Sequence, residues 1–182
     1  MSRIPAWVWI LGGMAALVAF GSAGVIAVDY ISASWLSSAN AKKWLPFLTA
    51  AENNFGIPAG LLARIAYQES RFRQDVIAGT TTSEVGALGL MQLLPQYFQT
   101  VRRPIPFSDS DTQDQINEAA SLLSSLYHRF GDWTLAVAAY NDGAGNINQV
   151  LAGTRSLPAQ TAQYLQQISA DLPALIAPSL NT

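Results

Sequence analysis

The chain has 182 residues, 50% of them hydrophobic and only 12% charged, with a formal net charge of −2. That length allows one domain with a full core plus an appendage, and the scattered Lys and Arg exclude a basic stripe of the kind that binds nucleic acid. Cysteine is absent and His128 is the only histidine, which excludes disulfides and a lipidated cysteine and speaks against a zinc centre or a Ser-His-Asp triad, so neither metal nor cofactor is expected.

The first element in chain order is residues 6–28, AWVWILGGMAALVAFGSAGVIAV, which run without a charge. As a helix they would span roughly 34 Å, enough for a hydrocarbon core of ~30 Å. Trp7 and Trp9 lie at one end, with Tyr30 and Trp35 beyond the other, as interface aromatics would. Arg3 before the run and Asp29 after it orient the amino end toward the cytoplasm by the positive-inside rule. The run exceeds the h-region of a cleaved signal peptide, usually about 7–15 residues, so residues 1–30 read as a cytoplasmic stub and a retained transmembrane helix. Its Gly and Ala content makes it only moderately hydrophobic, as a releasable anchor would be. Residues 31–40 read as a polar linker, and the main domain starts near Ala41.

Helical periods dominate from there. Trp44, Leu45, Leu48, Ala51 and Phe55 form one stripe, with Gly56 as the residue that ends the helix. Pro58 suits the first turn of a helix over 58–71. Residues 73–85 read as a polar loop, LGLMQLLPQYF as a short apolar element broken by Pro95, and RRPIPFSDSD as a second loop. Ile116, Ala119, Ala120, Leu123, Leu126, Tyr127 and Phe130 predict a long amphipathic helix ending at Gly131. His128 falls in its last turn, a place for a surface or dipole-compensating role. Trp133, Ala136, Val137 and Tyr140 continue as a stripe that stops at NDGAG. A last helix runs from about Pro158 to Ala170, with Tyr164, Leu165 and Ile168 inward. No alternating strand is evident, so the domain, residues 41–172, reads as all-α. A loosely held tail, 173–182, is expected to follow.

One charge falls on an apolar face. Leu61, Ile65 and Glu69 lie at i, i+4 and i+8 of the second helix, so a carboxyl group stands where a Leu would pack better. Desolvation there raises a carboxyl pKa, and such a group can act as a general acid near neutral pH. Tyr140 continues a core-facing stripe, and its hydroxyl needs a partner, for which Glu69 is the candidate. Gln92 sits in an apolar run, where a buried amide must be satisfied either by a bound polar ligand or by capping a turn. NDGAG is ordinary helix-ending chemistry whose glycines could also admit a ligand close to the backbone.

Three blocks in this order, the ES pair at Glu69 followed by Phe72, then Ser83 leading to GALGLMQLLP, then AAYNDGAG, resemble the catalytic domain of the Slt-type, goose-lysozyme-like lytic transglycosylases. The resemblance covers roughly residues 44–168. It implies a lysozyme-like helical fold and cleavage of bacterial peptidoglycan at the β-1,4 bond between N-acetylmuramic acid and N-acetylglucosamine. It implies Glu69 as the catalytic acid/base. It further implies Ser83, Gln92, Tyr140, Asn141 and Tyr164 as substrate-binding or site-lining residues, Tyr164 through the closing segment TAQYL. The expected reaction forms a 1,6-anhydromuramic end with a single carboxyl. Three departures stand out: a longer segment between Ser70 and Ser83, Leu94 where the family carries Met, and Asp142 where a small residue is usual. Asp142, Glu84 or Asp75 could instead hold a water for a hydrolytic lysozyme of the same fold, and a wall-binding or assembly module with vestigial activity is a third reading. The expected setting is the inner membrane, or a viral membrane, with the catalytic domain in the periplasm. The expected partners are glycan strands, the membrane through residues 6–28, and a phage virion or a secretion or conjugation complex.

Overall fold

A computed structural model describes residues 33–180. The apolar run 6–28 lies outside the described residues; among the described ones, no helix is long and apolar enough to cross a membrane. The main helices are α1 (Ala39–Phe55), α2 (Leu61–Ser70), α3 (Gln74–Ile77), α4 (Asp109–Phe130), α5 (Trp133–Asp142), α6 (Ala144–Leu151) and α7 (Ala159–Asp171), with two 3-10 turns at Ser34–Leu36 and Thr100–Arg102. No strand is formed among the described residues; Leu88 and Leu93 make one isolated antiparallel bridge.

Helix α2 is the central element. It starts three residues later than Pro58 because Gly60 takes the left-handed conformation, φ 85°, and offers no side chain to cap it. The cap comes from α1 instead. Glu52 accepts the backbone N–H of Gly60 (3.0 Å), Leu62 (2.9 Å) and Ala63 (3.2 Å), the donors that a helix start leaves unsatisfied. Glu52 is 1% exposed, and burial pushes its pKa up to about 7 against the pull of the three donors. Residues Leu61 to Ala66 are all buried, so α2 is enclosed on every side of its first turns rather than amphipathic. Helices α1 and α7 pack against it, α4 packs against α1 and α5, and α5 packs against α7.

Several elements differ from their sequence reading. Trp35 and Leu36, within residues 31–40, are buried in the same core as α1. The 73–85 segment contains α3, because Val76 and Ile77 find places in the interior. The run LGLMQLLP is apolar without being helical. It folds as a tight turn in which Leu88 and Leu93 exchange two backbone hydrogen bonds of 3.0 Å, burying Leu90, Met91 and Leu93. Helix α6 was not legible as a separate element; Gly143, at φ 91°, breaks the chain direction after α5, and Ile147 and Val150 then turn inward. The segment beyond Pro173 is packed rather than loose. Ile176 is buried, Leu175 and Leu180 cover the core, and the Ala177 N–H donates to the Thr134 hydroxyl at 3.0 Å. The long helix α4 ends at Gly131 as expected and begins with a capping box between Ser108 and Asp111.

Glu52→Ala would leave three N–H groups in a dry interior without an acceptor. Unmet buried groups cost about 1–3 kcal/mol each, so the unfolding free energy from urea denaturation should drop by at least that amount. Glu84→Ala, at an exposed position, should change stability by less than about 0.5 kcal/mol.

Candidate active site

The last turn of α2 and the inner face of α7 form the walls of a cleft of about 300 Å³, closed at one side by the end of α5. Helix α2 and the residue after it supply Gln68, Glu69 and Arg71; α5 supplies Asn141; α7 supplies Gln160, Gln163, Tyr164 and Gln167. Among the described residues, Glu69 is the sole carboxyl on this lining. Its Oε1 accepts a hydrogen bond from the Tyr164 hydroxyl at 2.6 Å. Burial of the carboxyl group raises its pKa to about 7, and the Tyr164 bond, which favours the charged form, pulls the other way without prevailing. Burial and the nearby Glu69 charge hold the hydroxyls of Tyr140 and Tyr164 well above their ordinary range, so both stay neutral donors.

Of the residues singled out in the sequence, Glu69, Asn141 and Tyr164 share this cleft. Ser83, Gln92 and Tyr140 are not among its lining. Tyr140 does not bond Glu69, as its stripe position suggested. Its hydroxyl donates to the Met91 carbonyl at 2.9 Å, because the side chain reaches the buried turn at 88–93 first. It nevertheless lies near enough to feel the Glu69 charge. Gln92 has a left-handed backbone, φ 49°, and its Nε2 donates to the Gly89 carbonyl at 3.0 Å, so half of its amide caps its own turn. Ser83 closes the turn to Ala87, accepting the Ala87 N–H on its Oγ at 2.9 Å.

The sequence reading missed the support beneath the cleft. Arg64 is 3% exposed. Its Nε pairs with Asp171 Oδ2 at 2.5 Å, one terminal nitrogen donates to Gln68 Oε1 at 3.0 Å, and the other to the Gln167 carbonyl at 2.7 Å. Gln68 in turn donates to Gln167 Oε1 at 2.5 Å. These bonds join α2 to α7 beside the Glu69–Tyr164 contact. The one available signal was an arginine inside an apolar helical run, but its partner Asp171 lies too far along the chain to be matched by periodicity.

The other acids considered as partners are engaged in ion pairs or exposed. Asp142 is held by both terminal nitrogens of Arg155, at 2.7 and 3.2 Å. Asp75 pairs with Arg73 and accepts from Thr81, which lowers its pKa. Glu84 is exposed. A larger cavity of about 810 Å³ lies between the end of α6, the 153–157 loop and residues 179–180. Among the described residues its only ionisable lining group is Arg155, already paired with Asp142.

The described residues form an all-helical domain with one protonable carboxyl in a cleft of amides, consistent with a lysozyme-like fold. The family model described as the Transglycosylase SLT domain matches residues 46–163, and the chain belongs to that family. The chain is 27% identical over 139 residues to the transglycosylase of Enterobacteria phage PRD1, a match covering 76% of this chain and 49% of the phage protein. It is 28% identical over 147 residues to a protein of Alteromonas sp. (strain M-1) named for tributyltin chloride resistance, covering 75% of this chain and 68% of that protein. The chain thus spans about half the length of the phage relative.

Two predictions follow from the carboxyl groups. Burial raises the pKa of both Glu52 and Glu69 from an ordinary 4.5 to about 7. Between those values the native state binds more protons than the unfolded chain, so the stability they contribute is present below about 4.5 and lost as pH rises through about 7. Urea midpoints should therefore fall from pH 5 to pH 8, and the fall should be smaller in Glu69→Gln. Tyr164→Phe removes a donor to the carboxylate, so the Glu69 pKa should rise above 7, read by NMR titration of the side-chain carboxyl.

Proposed function

We propose that the chain is a peptidoglycan lytic transglycosylase that cleaves the β-1,4 bond between N-acetylmuramic acid and N-acetylglucosamine, with Glu69 as its single general acid and base. One observation carries the reading: Glu69 is the only carboxyl lining the cleft, and its proton is retained to about pH 7. Membership of the SLT family supports the substrate class.

In the first step Glu69 donates its proton to the glycosidic oxygen as the bond to the muramic anomeric carbon breaks. The muramic N-acetyl group stabilises the positive charge that develops there. The Glu69 carboxylate, stabilised by the Tyr164 hydroxyl at 2.6 Å, then accepts the proton of the same sugar's 6-hydroxyl. That oxygen attacks the anomeric carbon and closes the 1,6-anhydro ring. No water is consumed, and the carboxyl returns protonated. Proton transfer of this kind contributes roughly 10²–10⁴-fold, and orientation of the sugar supplies the remainder. The amides of Gln68, Asn141, Gln163 and Gln167 offer donors and acceptors to sugar hydroxyl and acetamido groups. Ser83 and Gln92 extend the binding surface from the neighbouring turns, and Tyr140 braces the Met91 carbonyl beside Gln92.

A hydrolytic lysozyme would need a second carboxyl to activate water on the far face of the ring. The bidentate hold of Arg155 on Asp142 disfavours that role. Residues 6–28 act as the membrane anchor in this proposal and place the domain on the wall side of an inner or viral membrane. Similarity to a protein of phage PRD1 favours a viral setting for local wall opening. A secretion or conjugation machine is the other assembly that such an anchored enzyme would serve.

The test is to incubate the full chain with purified peptidoglycan and weigh the fragments. Anhydro ends, lighter by one water than reducing ends, are expected, and reducing ends alone would assign hydrolysis instead. Glu69→Gln should lower the rate by roughly 10²-fold or more; undiminished clearing by this variant would remove Glu69 as the acid. The parent rate should fall as pH rises through about 7, when Glu69 loses its proton.

A further inference from the structure

The cleft carries a second charge. Arg71 is exposed at its mouth, two residues after Glu69, and it is the only basic group on the lining. Among the described residues it takes part in no ion pair, unlike Arg64, Arg73, Arg103 and Arg155. Its position is nevertheless fixed. Arg71 and Phe72 are consecutive non-glycine residues in the left-handed region, φ 51° and 52°, a conformation that costs of order 1–3 kcal/mol each and persists only where packing imposes it. The buried Phe72 ring imposes it here, with the Phe72 N–H donating to the Ser70 hydroxyl at 3.1 Å and Asn40 donating to the Phe72 carbonyl at 2.9 Å. The guanidinium then lies over the Tyr67 ring, 4.5 Å from its centroid. Among the described residues the guanidinium makes no hydrogen bond, so its N–H groups are available for a bidentate acceptor. Glu69 does not consume this charge, since its proton is governed by burial and by Tyr164.

We propose that Arg71 is an anion subsite of the cleft, and that it recognises a carboxylate carried by the glycan strand next to the bond being cleaved. The inference rests on the glycan-cleaving function proposed above and specifies which strands that function favours. A muramic residue can present such a carboxylate from two sources: its own lactyl group when the peptide has been removed, or the acidic side groups of an attached stem peptide. The first would direct the enzyme to naked strands and the second to peptide-bearing ones.

The test compares the parent, Arg71→Gln and Arg71→Lys, each as the full chain, on three preparations. These are strands with their peptides, strands freed of peptide by an amidase so that the lactyl carboxylate is exposed, and either preparation with its carboxyl groups converted to methyl esters. The parent should favour one carboxylate-bearing preparation over its methyl ester by about 10-fold or more in kcat/KM, the size of a charged hydrogen-bonded contact. Arg71→Gln should bring that ratio close to one, mainly through KM, and Arg71→Lys should restore part of it. Which preparation shows the preference identifies the source. A parent indifferent to esterification, or an Arg71→Gln variant that keeps the preference, would overturn the proposal. A parent that releases no fragments from any preparation, with either anhydro or reducing ends, would instead overturn the enzymatic reading itself, which keeps the two failures distinct.

Discussion

The hydrogen bond between Tyr164 and Glu69 is only as good as the fixation of the two helices that carry it. Helix α2 holds Glu69 at its far end and must be set in depth, in rotation and at its terminus. Depth is set by burial of every residue from Leu61 to Ala66. Position at the start is set by the Glu52 carboxyl group, which reaches from α1 to take three N–H donors. The end is fixed one residue past Glu69, where the chain turns into two left-handed residues anchored by Phe72. A helix that begins on a buried acid and stops on a strained turn has little freedom to slide or rotate, and the carboxyl at its last turn inherits that rigidity.

The partner helix α7 is joined to α2 by polar rather than purely apolar contacts. Arg64 makes three hydrogen bonds to Gln68, Gln167 and Asp171. This ion pair adds little net stability, because the buried Arg64 must be desolvated while the exposed Asp171 stays in contact with solvent. It does specify one register between the two helices, since a shift by one turn would strand the guanidinium. Directionality matters here more than energy: an apolar α2–α7 seam would tolerate small rotations that a 2.6 Å bond between Tyr164 and Glu69 would not.

Much of this was legible in the sequence where local rules govern. Helix α4 has an apolar stripe, a Ser cap and a terminal Gly, and each of these signals agrees with the others. Glu69 was legible because a charge on an apolar helical face is a conflict that invites explanation. The misreadings have a common cause in contacts between residues far apart in sequence. Pro58 looks like a helix start, but the acceptor that fixes the true start is Glu52 on another helix. LGLMQLLP reads only as a short apolar element broken by Pro95, and its hydrophobicity serves a turn whose two ends pair with each other. Tyr140 shares a stripe with the core, yet a backbone carbonyl at Met91 captures its hydroxyl, while Tyr164, 95 residues from Glu69 in sequence, supplies the bond instead. Helix α6 and the packed segment after Pro173 each expose only two or three apolar residues to a sequence reader, too few to define a period.

The same structure accounts for the absence of a second carboxyl from the cleft's lining. Asp142 is adjacent to Asn141, a lining residue, and free it would stand near the cleft as a second acid. Arg155 removes that option by forming a two-pronged ion pair that also ties the loop before α7 to the end of α5. A free carboxylate near Glu69 would add like-charge repulsion and raise the Glu69 pKa further, while offering a site to activate water. Neutralised by Arg155, it does neither. Glu69 is then tuned by burial and by Tyr164, and under the function proposed above a single carboxyl suffices because the sugar already holds its nucleophile.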